Sequence, residues 1–158
     1  MQVLSEEMAR GLPTVSPYST GLDGESQTME EAFPPVKLDF RPFGTRIVVQ
    51  LKRVLSKSKG GILLDRSTKD TEAWNTQIGK VLAMGPLAFK NRGTGAVWPE
   101  GMWAEIGQFV RFARHVGDRY SHPAPEDGGD PIPLLILNDA DLIGEYLGDP
   151  RTVRAFLL

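Results

Sequence analysis

The sequence has 158 residues, 41% of them hydrophobic and 24% charged, the balance of one ordinary domain long enough to bury a core. Eighteen Lys and Arg stand against twenty Asp and Glu, so the chain lacks the cationic excess that neutralises phosphates, and nucleic acid is not expected as a partner. There are no cysteines, which removes disulfides, thiolate metal sites and Cys nucleophiles together and leaves His115 and His122 as the imidazoles for acid-base or metal chemistry. No apolar run approaches a membrane span and residues 1–10 lack the basic-then-apolar order of a secretory signal, so a cytosolic protein away from membranes is expected.

Up to Val36 the charges are Glu6, Glu7, Asp23, Glu25, Glu30 and Glu31 against Arg10, so this part is acidic while the remainder is net positive. Its middle, GLPTVSPYSTGLDG at 11–24, is broken throughout by Pro and Gly and has no apolar period. Residues 1–36 therefore read as an extended acidic arm, either a tether or a solubilising terminus. From Thr45 the texture changes to TRIVVQLKRV, with Ile47, Val49 and Leu51 on one face of a strand and Val48, Gln50 and Lys52 on the other. Further short β-like runs follow at Gln77 to Met84, Gln108 to Phe112 and Ile132 to Leu137, each bounded by turn-forming residues. Without long amphipathic helices between them, these runs predict an all-β barrel or sandwich over 37–147. Helix is expected at the ends alone: one turn capped by Ser5, and a short C-terminal helix within 148–158, where Asp149 caps and Pro150 takes the first helical position.

Catalytic constellations are poor. Both histidines fall in the loop-like RHVGDRYSHPAPEDGGD, where no nucleophile, base and orienting acid are assembled. His115, Asp118, His122, Glu126, Asp127 and Asp130 match no defined zinc or calcium spacing, and the stretch reads as a polar surface hairpin or loop closed by EDGGDP. Gly60-Gly61 and the RGTG of Arg92 to Gly95 lack the context of phosphate loops and read as turns. No metal, no cofactor and no enzymatic activity are expected.

Two segments stand apart. Lys57 to Leu64 reads KSKGGILL, so Gly60 and Gly61 precede three aliphatic residues, Ile62, Leu63 and Leu64, inside a long polar stretch between two strands. The tripeptide is either a brief core strand or an exposed motif that folds onto the apolar groove of a partner. The second segment, Pro86 to Glu105, carries Phe89, Trp98, Met102 and Trp103 around a glycine-rich turn. These side chains either cap an open end of the barrel or form a protruding contact hairpin.

In their order these motifs resemble the GroES-type co-chaperonins, small β-barrels assembled as a heptameric ring. Phe40-Arg41-Pro42-Phe43-Gly44-Thr45-Arg46-Ile47-Val48-Val49 is similar to that family's opening arginine-proline pair and first long strand. Lys57 to Leu64 resembles its mobile-loop signature, Ile78 to Gly85 its "G-x-V-x-A-V-G" strand, and Ile106 to Phe112 its "V-G-D-x-V-x-F". Leu135 to Gly144 looks like its "x-I-M-x-E-x-D-I-L-A" finish. The resemblance implies that Gly60, Gly61, Ile62, Leu63 and Leu64 dock on an ATP-bound chaperonin ring and that Phe89, Trp98, Met102 and Trp103 belong to a roof hairpin. It further implies that edge strands pair between subunits of a homo-oligomer. Thr45 and Gln108 stand where the family usually has Asp, and the arm and the tail after Gly144 have no counterpart in a minimal member. These additions resemble the enlarged co-chaperonins of bacteriophages, which assist the folding of capsid proteins in the host cytoplasm. The rival expectation is a virion decoration or cement protein that kept the barrel, binds a viral capsid protein and is anchored by its arm.

Overall fold

The structure is a computed structural model that describes residues 27–55 and 75–153. Among them are a short helix, α1 (Met29–Ala32), and six strands: β1 (Arg46–Gln50), β2 (Ile78–Met84), β3 (Phe109–Phe112), β4 (Asp118–His122), β5 (Ile132–Asn138) and β6 (Leu142–Glu145). All six join one antiparallel sheet in the spatial order β4-β5-β1-β2-β3-β6. The four β-branched runs in the sequence correspond to β1, β2, β3 and β5.

Strand β4 lies in the stretch read as polar loop or hairpin, and it is the hairpin form that occurs. Asp118 to His122 pairs with Ile136 to Ile132 of β5, and Gly129 N–H closes the connecting turn on the Glu126 carbonyl at 3.1 Å. Strand β6, unannounced by any apolar alternation, follows a 3-10 turn at Asp139–Asp141 and pairs with β3.

The larger of two apolar clusters lies on the inward face of β1. Ile47, Val49 and Leu51 from β1 and its exit meet Val81, Val110, Phe112, Leu135, Leu137 and Leu142, so strands from β5 to β6 share a single apolar cluster. A bulge between Val48 and Val49 interrupts the β1–β2 register, the irregularity that bends a strand and deepens its twist. Where the two glycine-bearing motifs meet, backbones touch: Leu87 N–H donates to the Gly44 carbonyl at 2.9 Å and Gly85 N–H to the Arg46 carbonyl at 2.8 Å. A Cβ on Gly85 would run into the Gly44 carbonyl, and Gly44 itself sits at a φ of 61°, so the crossing requires glycine at Gly85 and favours it at Gly44.

The other face of β1 is covered too. Val48 packs with Ile132 and Leu134 beneath Val36, Leu38 and Phe40, and Gln50 and Lys52, which alternation alone would send to solvent, are buried. The cover begins inside the segment expected to be an extended arm. There α1 is capped by Thr28 in a reciprocal capping box with Glu31, and Ala32, Phe33 and Pro34 are buried, with Phe33 edge-on to Phe109 at 4.9 Å. Three consecutive apolar residues are the physical reason that the last part of the acidic segment packs instead of extending. At the other terminus, a 3-10 helix (Pro150–Thr152) forms where the capping signal predicts a helix, with the Asp149 side chain accepting from Arg151 N–H at 3.0 Å. The turn capped by Ser5 and everything past Val153 lie outside the described residues.

Candidate contact surfaces

Gly60, Gly61, Ile62, Leu63 and Leu64 lie outside the described residues, so their docking role has no geometry here. The chain leaves the sheet towards them through Leu51 to Leu55 and returns at Asn75 and Thr76, both buried.

The aromatic segment forms a hairpin on the core. Lys90 bridges to Val97, and Trp98 N–H donates to the Phe89 carbonyl at 2.9 Å. Its tip is closed by Asn91, whose side-chain oxygen accepts from Gly93 N–H at 2.8 Å and Thr94 N–H at 3.0 Å, an Asx-type turn. Phe89, fully buried, sits at a φ of 58°, a left-handed conformation unusual for an aromatic residue. Its backbone N–H donates to the Asp139 carboxylate at 2.9 Å, and Asp139 is itself buried at the end of β5. That charge-assisted bond fixes the root of the hairpin.

The four aromatic-segment residues divide by exposure. Trp98 stacks edge-on to Phe89 at 5.6 Å and to Trp103 at 4.7 Å, so Phe89 and Trp98 extend the core into the hairpin. Trp103 and Met102 keep 39% and 44% of their surface in solvent, near exposed Val97 and Ile106 in sequence. The segment thus divides between two side chains packed on the core and two that face solvent. Beside Trp103 a cleft of about 260 Å³ opens against the outer edge of the sheet, lined by Glu100, Val110, Leu142, Ile143 and Gly144. Ile143 and Leu147 on and beyond β6 are 62% and 85% exposed.

At the opposite edge, Tyr120 of β4 donates its hydroxyl proton to the Asp39 carboxylate at 2.6 Å, and that bond holds the phenol above its ordinary pKa. The Phe40 ring stands edge-on to Tyr120 at 5.4 Å. These contacts lay the chain before β1 along β4. Exposed Phe43 follows, with the Arg41 guanidinium 5.9 Å from its ring centre.

The candidate metal residues do other things. Glu126 pairs with Arg53 at 2.6 Å, His115 occupies a left-handed turn position before β4, and His122 ends β4 in a tilted contact with Tyr120. Among the described residues no group of three or more His, Asp or Glu side chains converges as a metal site, and no helix is long and apolar enough to cross a membrane.

Comparison with known proteins agrees with this architecture. Residues 39–119 match the family described as the Chaperonin 10 Kd subunit. A co-chaperonin GroES of Rhodopseudomonas palustris is 31% identical over 108 residues, covering 68% of this chain and 95% of that protein. One from Mesorhizobium japonicum is 33% identical over 107 residues, with 68% and 88% coverage, and one from Caulobacter vibrioides is 29% identical, with 68% and 96%. These relatives are bacterial and lend no support to the bacteriophage and capsid expectations. α1 and the C-terminal 3-10 helix both lie outside the matched 39–119. The chain belongs to the Chaperonin 10 Kd subunit family, the GroES-type co-chaperonins, which are not enzymes.

Proposed function

We propose that this protein is a ring-forming co-chaperonin that caps an ATP-bound chaperonin through Ile62, Leu63 and Leu64, with Gly60 and Gly61 supplying the backbone freedom that docking needs. The carrying observation is the family match across 39–119, which spans the KSKGGILL motif together with the strands on either side of it. Each loop would bind weakly, because ordering it costs conformational entropy, while several loops presented by one ring act together through avidity. A homo-oligomer, heptameric by family, is supported by the two sheet edges, β4 and β6, which have no pairing partner on their outer sides among the described residues. Met102 and Trp103 are the roof-hairpin residues available for contact, with Phe89 and Trp98 anchoring them. By the same family reasoning the protein works in the cytoplasm. No observation favours the virion-decoration alternative.

ATP-dependent co-sedimentation with a bacterial chaperonin ring, with the Leu63→Asp variant alongside, tests this reading. Binding that requires ATP and falls at least about tenfold in the variant, with the oligomer intact, is the expected result; a charge on a docking aliphatic residue must be desolvated on binding. Equal binding by both proteins would remove the tripeptide from the contact, and no binding by a well-folded oligomer would refute the co-chaperonin role.

A further inference from the structure

The exit of β1 carries an unusual run of buried polar side chains: Gln50, Lys52 and Arg53 are 1%, 8% and 5% exposed. Burying such groups is unfavourable unless each finds a partner. The partners come chiefly from the two terminal segments outside the family match. Gln50 Nε2 donates to the Pro34 carbonyl at 2.8 Å. Arg53 Nε donates to the Glu31 carbonyl at 3.1 Å, Arg53 N–H to the Ala32 carbonyl at 2.8 Å, and Gln27 Nε2 returns a bond to the Arg53 carbonyl at 2.8 Å. From the C-terminal side, Lys52 Nζ reaches the Arg151 and Val153 carbonyls at 3.3 and 3.5 Å. The two segments also touch each other, Arg151 donating to the Gln27 carbonyl at 3.5 Å. Arg53 is tied in addition to the β4–β5 connection, through the Glu126 carboxylate at 2.6 Å and the Asp130 carbonyl at 3.3 Å.

We infer that residues 27–36 and 149–153 form a clasp, one cooperative unit that grips Gln50 to Arg53 and fixes the direction in which the chain leaves the sheet. The run is composed for this grip: Gln50, Lys52 and Arg53 each direct a side-chain hydrogen bond to a terminal carbonyl, and losing it withdraws part of the compensation that their burial requires. The clasp is a positioning device, since none of its residues need touch a partner protein. Its consequence for chaperonin binding rests on the proposed co-chaperonin function: a fixed exit reduces the conformations available to the docking motif beyond it, and so lowers the entropy lost on binding.

Two substitutions test the clasp, each read at an amide whose hydrogen bond the substituted side chain does not make. Arg151→Met is expected to speed hydrogen exchange at the Arg53 amide, and Gln27→Ala at the Thr152 amide, by at least about fivefold, with Val110 in β3 unchanged. Acceleration confined to the substituted side in both variants would overturn the cooperative unit. The same variants are then titrated against an ATP-loaded chaperonin ring: affinity reduced about threefold or more, at unchanged oligomeric state, supports the positioning role. Coupled exchange with unchanged affinity refutes that role and leaves a stability element. If the parent protein itself fails to bind, the co-chaperonin reading fails, while the exchange data still decide whether the clasp exists.

Discussion

The two faces of β1 solve the same burial problem with opposite chemistry. The inward face, Ile47, Val49 and Leu51, meets an apolar core supplied by β2, β3, β5 and β6 within the family-like body. On the outward face, Val48 has an apolar cover from Val36, Leu38 and Phe40, whereas Gln50 and Lys52 are sealed by backbone carbonyls of Pro34, Arg151 and Val153. Apolar packing is non-directional and tolerates repacking; hydrogen bonding to fixed carbonyls is directional and tolerates little. The inward face therefore carries stability, and the outward face carries orientation.

The difference is open to experiment. Ile47→Ala should be the most costly change, about 3 kcal/mol by urea unfolding, because it removes buried methylenes and leaves a void that the surrounding strands cannot fill. A loss below about 1 kcal/mol would mean that the inward core is loosely packed and would erase the contrast. Gln50→Leu on the outward face should cost less, about 1 kcal/mol, since it deprives the buried Pro34 carbonyl of its donor while keeping side-chain volume. Its signature is local: faster exchange across α1, with the core amides unmoved. Acidification should give the smallest effect. Hydrogen bonding to Arg151 holds the Asp149 carboxyl below its ordinary range, against a smaller opposing contribution from burial. A depressed folded-state pKa contributes stability that is present above the unfolded carboxylate range and lost as pH falls through the folded value. The pair is partly exposed, so screening keeps the contribution to about 0.5 kcal/mol or less. The C-terminal turn should loosen at acid pH ahead of the sheet, a change followed by NMR at Thr152; a turn indifferent to pH would detach Asp149 from the clasp's stability.

What the sequence announces and what it conceals follow from how each element is buried. β1, β2, β3 and β5 carry large β-branched or aliphatic side chains because the core needs them, so their alternation is visible in a single chain. β4, DRYSH, lies at a sheet edge and is mostly exposed, and β6, LIGE, buries Leu142 alone, so neither needs an apolar period. The burial of Gln50, Lys52 and Arg53 is invisible to alternation for a different reason: their partners are backbone carbonyls, which every residue possesses, and these arrive from Glu31, Pro34 and Arg151. Acidic composition likewise hides the packing of Ala32, Phe33 and Pro34, because Glu30 and Glu31 dominate the average while three neighbours make the contact. In the aromatic hairpin the cluster of rings is legible from the residue types alone. The division between anchoring Phe89 and Trp98 and solvent-facing Met102 and Trp103 is not, since it depends on the left-handed turn at Phe89.

That turn has a temporal consequence. The carboxylate that holds Phe89 N–H belongs to a residue 50 positions later in the chain. On the ribosome, where the chain emerges from its N-terminus, the hairpin is complete well before Asp139 appears, and its root has then no acceptor for that donor. A hairpin kept from its final pose until Asp139 has emerged cannot present Met102 and Trp103 in a set direction early. Any assembly that reads that direction must therefore wait for β5 and the turn that follows it.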